Sequence, residues 1–190
     1  MQAFYAHLIP ALWLAWAIYW WISALNIKAV RRREGAASRA TYMAPLVVAV
    51  LLLAPPTLPG GFLCQRFLAA KLATFWVGAA TITLGLGFSA WARVRLGGNW
   101  SGTITTKHGH ELIRSGPYAY VRHPIYTGLL AALVGSAIAR GEWRGLVAVV
   151  IAFGALWRKL TLEERWLVET FGDQYTRYCT EVAALIPFLL

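Results

Sequence analysis

Two adjacent carboxylates, Glu163 and Glu164, follow an apolar run by only a few residues, and Lys159 precedes the first of them by one helical turn. Ionisable groups at the edge of a hydrophobic segment are costly unless they are paired, hydrated or used to bind something. Neighbouring residues on a helix point about 100° apart, so only one of the two glutamates can face a given pocket. Lys159 and Glu163, at i and i+4, share a face. That face either pairs with itself or presents a cation beside an anion, which suits a zwitterion or two ligands of opposite charge. A carboxylate placed there can receive an ammonium or a sulfonium group.

About forty residues earlier lies a second concentration of chemistry, Gly116-Pro117-Tyr118-Ala119-Tyr120-Val121-Arg122-His123-Pro124-Ile125-Tyr126, which runs directly into an apolar segment. Pro124 fits the first turn of a helix, where its missing N–H costs nothing. His123 then takes the N-cap position, near free backbone donors, and Tyr126 follows on roughly the same face. The imidazole either caps the helix or meets a ligand by hydrogen bonding or stacking. Other chemistries fit less well. His108 and His110 are two residues apart, with no third ligand at a metal-binding spacing. The glycine pairs lack the strand–helix context of a phosphate loop, and no nucleophilic serine or cysteine motif occurs. Cys64 and Cys179 stand far apart, which argues against a disulfide framework or a zinc site.

The elements that must position these residues are written in the composition. Hydrophobic residues make up 58% of the 190-residue chain and charged residues 14%, against about 25% charged in a soluble domain. The apolar residues gather into five runs, at 4–26, 41–58, 68–92, 124–139 and 144–158, and a span needs about 20 apolar residues. The last two are short and joined only by Arg140-Gly141-Glu142-Trp143, which reads as a tight helical hairpin, with a re-entrant pair as the other option. The 93–123 segment is too polar to span. After Lys159 the spacing of Leu162, Trp166, Phe171, Tyr175 and Tyr178 predicts an amphipathic helix continuing the fifth run, with Gly172 breaking or bending it.

The net charge is +10, but the basic residues sit between apolar runs rather than in a separate basic domain. This disfavours nucleic acid and favours anionic headgroups and an acidic substrate. Of the 18 Lys and Arg residues, 14 fall in the 27–40 loop, the 93–123 segment and the C-terminal region; the other 4 are Arg66, Lys71, Arg140 and Arg144. The positive-inside bias then places the N-terminus outside and both chemical clusters at the cytoplasmic face. The N-terminal run has no basic region before it, so no cleaved signal peptide is expected. The expected fold is all-α: one integral membrane domain over 1–190 with about five transmembrane helices. Residues 1–92 supply three spans and 93–190 a cofactor-binding catalytic half.

One ordered set of motifs is more specific. It comprises Leu96-Gly97-Gly98-Asn99-Trp100-Ser101, His110-Glu111-Leu112-Ile113, Gly116-Pro117-Tyr118, Arg122-His123-Pro124-Ile125-Tyr126, Glu163-Glu164, Phe171-Gly172-Asp173-Gln174-Tyr175 and Leu185-Ile186-Pro187. Over roughly residues 90 to 190 this set resembles the isoprenylcysteine carboxyl methyltransferase family; the first two spans match only as hydrophobic segments. Membrane methyltransferases of phospholipids and of small thiols share parts of it, as do some NADPH-dependent sterol reductases.

The resemblance implies a methyltransferase that binds S-adenosylmethionine in a cytoplasm-facing pocket of the C-terminal half and releases S-adenosylhomocysteine. It implies that His110, Glu111, Leu112, Ile113 and Tyr118 line the cofactor, that His123, Pro124, Ile125 and Tyr126 continue that wall, and that Glu163 receives the cofactor's amino group. Lys159 stands where the family has a basic residue, commonly arginine, that approaches the acceptor carboxylate; Arg122 is the other candidate catalytic cation. Lysine is a weaker bidentate partner for a carboxylate than arginine.

The reaction this implies is carboxyl O-methylation of an isoprenylcysteine-like acceptor that enters from the bilayer of a prokaryotic cytoplasmic membrane. Phospholipid N-methylation, thiol S-methylation, NADPH-dependent reduction and a non-enzymatic membrane interaction are the alternatives. The chemistry agrees with the residues. A carboxylate, with a pKa of about 3.3–3.7, is ionised at neutral pH and needs no general base. The enzyme has only to desolvate and align its two reactants.

Overall fold

The computed structural model describes residues 2–25, 30–54, 61–100, 105–107 and 111–187. Six helices carry the fold: α1 (Gln2–Ser23), α2 (Ala36–Leu53), α3 (Leu72–Leu96), α4 (Pro124–Arg140), α5 (Trp143–Phe171) and α6 (Asp173–Glu181). The all-α expectation holds, with one addition: two short strands, β1 (Val30–Arg33) and β2 (Thr105–Lys107), pair antiparallel with Val30 opposite Lys107. By length and composition, α2, α5 and α3 with its 3-10 extension to Asn99 can cross a membrane. α4 is shorter: its 17 residues reach about 25 Å, somewhat less than a bilayer core of about 30 Å. α5 is one unbroken helix of 29 residues, about 43 Å long, and so outreaches that core.

The helix ends shift by a few residues from the hydropathy reading. α2 starts at Ala36 and stops at Leu53, and α3 runs from Leu72 to Leu96. Pro55, Pro56 and Pro59, at the end of the second apolar run, lie outside the described residues.

α3 and α4 form the centre. Gly78 lies against Gly135 and Gly85 against Gly128, in antiparallel register. A Cβ on Gly78 would sit 2.6 Å from the Gly135 carbonyl oxygen, and one on Gly85 2.5 Å from that of Gly128. The seven-residue spacing on each helix keeps both contacts on one face. In lipid, where apolar surface gains little by hiding, small residues let backbones approach and dispersion and polar contacts hold the pair. α1 is fastened across this seam by two indole N–H donors: Trp16 to Ser89 Oγ at 2.8 Å and Trp13 to Ser136 Oγ at 3.1 Å.

The bundle has two unlike ends. At one, Gly141 in the left-handed conformation (φ 69°) closes the α4–α5 hairpin. There Arg140 and Arg144 donate to the carbonyls of Leu53 and Ala54 at 2.7 and 3.3 Å, and Glu142 lies 2.5 Å from Arg144. Cations at the C-terminus of α2 satisfy its orphan carbonyls. The opposite end gathers the β1–β2 ribbon, the segment between α3 and α4, and the second half of α5. Gly172, also at positive φ (54°), ends α5 and turns the chain into α6. The irregular 182–185 segment then folds back against the start of α4.

Candidate active site

The return segment fixes the first functional cluster. Arg122 N donates to Ala183 O at 2.8 Å, His123 N to Ala184 O at 2.9 Å, and Thr127 Oγ1 to Leu185 O at 2.7 Å. Pro124 opens α4 as expected of a first-turn proline, fully buried. His123 is only 7% exposed, and its ring stacks on that of Tyr126 with centroids 5.4 Å apart and planes within 2°.

Helix geometry separates the two glutamates as the sequence requires. Glu163 turns into a cavity, where it accepts from the Tyr126 hydroxyl at 2.6 Å and lies 3.8 Å from His123 Nδ1. Glu164 turns behind it. Its Oε1 sits 3.1 Å from His123 Nε2, 2.9 Å from Arg122 Nε and 2.8 Å from a terminal Arg122 nitrogen. Arg122 also donates to the carbonyl of Cys179 at 3.0 Å and to that of Val182. Its guanidinium is therefore engaged in tying α5 to the segment after α6. Arg122 nonetheless lines the same cavity as Lys159. Lys159 holds its ammonium 5.2 Å from the Tyr126 ring centroid and 5.5 Å from that of Tyr42.

Glu163, Lys159 and the stacked His123–Tyr126 pair face one cavity of about 390 Å³. Glu111, Leu112, Ile113, Tyr118, Arg122, His123, Ile125, Tyr126, Lys159 and Glu163 all line it, so most of the residues singled out from the sequence converge. Pro124 does not; it packs behind the wall. His110 lies outside the described residues. Tyr118 is held by the Tyr178 hydroxyl, which donates to its carbonyl. Burial raises the Tyr118 phenol above its ordinary value and pushes Tyr178 up to about 12, so both stay protonated at neutral pH.

The deeper lining is apolar. Trp16 and Trp20 come from α1, Met43 and Leu46 from α2, and Leu129 and Leu156 lie one turn further into the bundle than the polar residues of α4 and α5. The first two helices thus contribute to a hollow that the sequence reading built from the C-terminal half. Their only signal was tryptophan at i and i+4 in α1, which membrane helices also show for interfacial reasons. Asn99 and Trp100, to which the sequence assigned no role, line the same cavity, and Asn99 Oδ1 is buried with no hydrogen-bond partner among the described residues. Trp166, Leu167 and Phe171 close the side formed by the end of α5.

A bundle of apolar helices with an amphipathic hollow at one end defines an integral membrane protein with a built binding site. The phospholipid methyltransferase family model (PEMT) matches residues 73–174, more than half of the chain, and the chain belongs to this family. The protein-S-isoprenylcysteine O-methyltransferase of Schizosaccharomyces pombe is 34% identical over 104 residues, 52% of this chain and 43% of that protein. Its Saccharomyces cerevisiae counterpart is 30% identical over 128 residues, 64% of this chain and 52% of that one. The methanethiol S-methyltransferase of Mycobacterium tuberculosis is 30% identical over 159 residues, 79% of this chain and 64% of that one. The chain spans about half the length of the first two relatives. Among solved structures, the eukaryotic intramembrane Ras methyltransferase ICMT superposes with a TM-score of 0.60 at 23% identity, covering 82% of this chain and 55% of that one. The two share a fold, and the resemblance drawn from the motifs has its counterpart in the relatives.

Proposed function

We propose that this chain is an S-adenosylmethionine-dependent methyltransferase that acts at the membrane on a lipophilic acceptor, by carboxyl O-methylation of an isoprenylcysteine-like molecule. The observation that carries this reading is that Glu163 and Lys159, an anion and a cation on one helix face, open into a single cavity whose deeper wall is apolar. The residues fit the cofactor on an independent point. Asn99 Oδ1 is a buried acceptor on the cavity wall without a donor among the described residues, and S-adenosylmethionine carries amino and hydroxyl donors. When bound, that cofactor supplies a methyl group on a sulfonium.

Glu163, oriented by the Tyr126 hydroxyl, receives the cofactor ammonium. His110, Glu111, Leu112, Ile113, Tyr118, His123 and Ile125 surround the remainder, and Pro124 sets the start of α4 behind them. Lys159 holds the acceptor carboxylate. Arg122 is a positioning residue, keeping Glu164 and the 179–182 carbonyls together. An ionised carboxylate needs no base, so the protein's task is alignment and exclusion of water. The apolar tail of the acceptor occupies the Leu46, Leu129 and Leu156 side and reaches it from the bilayer. The chain acts as one domain with α1 to α5 crossing the membrane, in the cytoplasmic membrane of a prokaryote with the site facing the cytoplasm.

Two measurements test this. Calorimetry of S-adenosylhomocysteine with the detergent-purified protein should show binding that the Glu163→Ala variant loses. Product analysis with N-acetyl-S-farnesylcysteine should then show a methyl ester. Binding of NADPH in place of S-adenosylhomocysteine overturns the reading, and a methylated thiol or amine acceptor in place of the ester moves the substrate class.

A further inference from the structure

The Lys159 ammonium lies over two aromatic rings, and one of them belongs to neither the family match nor the cavity wall. Tyr126, on α4, is within the matched region; Tyr42, on α2, precedes its first residue, 73. Tyr42 is fully buried, packs against Ala155 one turn before Lys159, and donates its hydroxyl to the Glu34 carboxylate. Its ring centroid is 5.5 Å from the Lys159 nitrogen, against 5.2 Å for Tyr126. A ring face attracts an ammonium within about 6 Å. Both rings are within that reach, so the charge is contacted from both α2 and α4.

Lysine needs such walls more than arginine does. Its four-carbon stem is flexible and its ammonium is a strongly hydrated point charge, whereas a guanidinium is planar and pre-organised. At the edge of an apolar segment a lysine tends to extend its head toward water. Tyr42, anchored by Glu34, opposes that movement and keeps the charge over the cavity.

We propose that Tyr42 is a positioning residue that acts through Lys159, and that by holding the ammonium at the cavity it selects acceptors with an anionic head. Acceptor choice is then written partly in α2, in the half of the chain that the family match does not cover. This inference rests on the proposed methyltransferase reading for its substrate, while the clamp itself is testable without it.

The experiment compares wild type, Tyr42→Phe and Tyr42→Leu in detergent, and repeats Tyr42→Leu in a Lys159→Gln background. Three quantities are read: the KM for N-acetyl-S-farnesylcysteine, the Kd for S-adenosylhomocysteine, and the rate at which an amine-reactive reagent modifies Lys159, followed by peptide mass spectrometry. Tyr42→Leu should raise the acceptor KM about tenfold, the scale of a desolvated cation–ring contact, and leave the S-adenosylhomocysteine Kd within about twofold. Tyr42→Phe, which keeps the ring, should stay near wild type in KM. The carboxamide analogue of the acceptor, which lacks the carboxylate, should inhibit wild type and Tyr42→Leu equally. In the Lys159→Gln background the Tyr42 effect on KM should vanish.

Lys159 should be modified several-fold faster in Tyr42→Leu than in wild type. An unchanged modification rate overturns the clamp. Equal losses of acceptor and S-adenosylhomocysteine binding, or a KM effect that persists without Lys159, reduce Tyr42 to a structural residue and overturn the inference. A wild type that binds S-adenosylhomocysteine but ignores the acceptor removes the substrate assignment and its selection by Tyr42, and the modification rate then decides whether the clamp exists.

Discussion

Glu163 and Glu164 are adjacent and chemically identical, yet the fold gives them different work. Glu163 has one phenol donor and a cavity; Glu164 has Arg122 and His123. Glu163→Gln should weaken S-adenosylhomocysteine binding by about ten- to a hundredfold, the range of a hydrogen bond to a charged group, with little change in melting temperature. Glu164→Gln should do the reverse, destabilising by about 1–3 kcal/mol because it leaves the largely buried Arg122 guanidinium without its counter-ion. Parallel calorimetry and thermal melts in detergent separate the two.

The Tyr178 phenol offers a pH test at the same scale. Burial raises it from an ordinary value of about 10 to about 12. A raised folded value means that the folded state holds the proton more tightly than the unfolded one. Its contribution is therefore complete below pH 10 and is lost as pH rises toward 12. The melting temperature should fall between pH 10 and 12, and the Tyr178→Phe variant should lose less over that interval. An equal decline in both proteins refutes the assignment. Residue roles of this kind were partly legible. The 100° divergence of neighbouring helical residues requires that one glutamate leave the pocket, but the choice between them depends on where Arg122 lies, and only the return of residues 182–185 to α4 sets that.

Elements were legible wherever an apolar run had to become a helix, and their ends were less so. Hydropathy follows side chains, whereas a helix ends where backbone hydrogen bonding can be handed on, as at Gly97 and Gly172. The β1–β2 ribbon left no signal: seven residues rich in arginine and threonine, from segments about seventy positions apart, show no alternation to read. The α3–α4 seam is different, because Gly78, Gly85, Gly128 and Gly135 repeat at seven residues and their partners follow from close approach. Gly85→Val should force these helices apart and cost at least about 2 kcal/mol, as overpacking does. Gly87→Ala, two positions away with nothing within 4 Å of an added Cβ, should be neutral or stabilising by about 0.5–1 kcal/mol. Thermal melts of both variants in detergent check the pair; a tolerated Gly85→Val means that the helices are not in backbone contact.

At the scale of the whole molecule, charge and topology agree. The structure places the 30–33 strand, the segment after α3 and the end of α5 at one end, and the α4–α5 hairpin with residues 61–71 at the other. The first group belongs with the 14 basic residues counted from the sequence and the second with the remaining 4. Those 4 include Arg140 and Arg144, which have structural reasons to be there, since they close the C-terminus of α2. The bias free of such local duties is therefore steeper than the count suggests. Translocation resists basic loops, so the site end should face the cytoplasm. In a background with Cys64→Ser and Cys179→Ser, a membrane-impermeant maleimide added to intact cells should label Gln65→Cys and spare Ser115→Cys, which reacts only after lysis. Both positions are exposed, on opposite ends of the bundle. The inverse pattern would put the cavity outside, away from the cytoplasmic supply of its proposed cofactor, and would undo the methyltransferase reading together with the orientation.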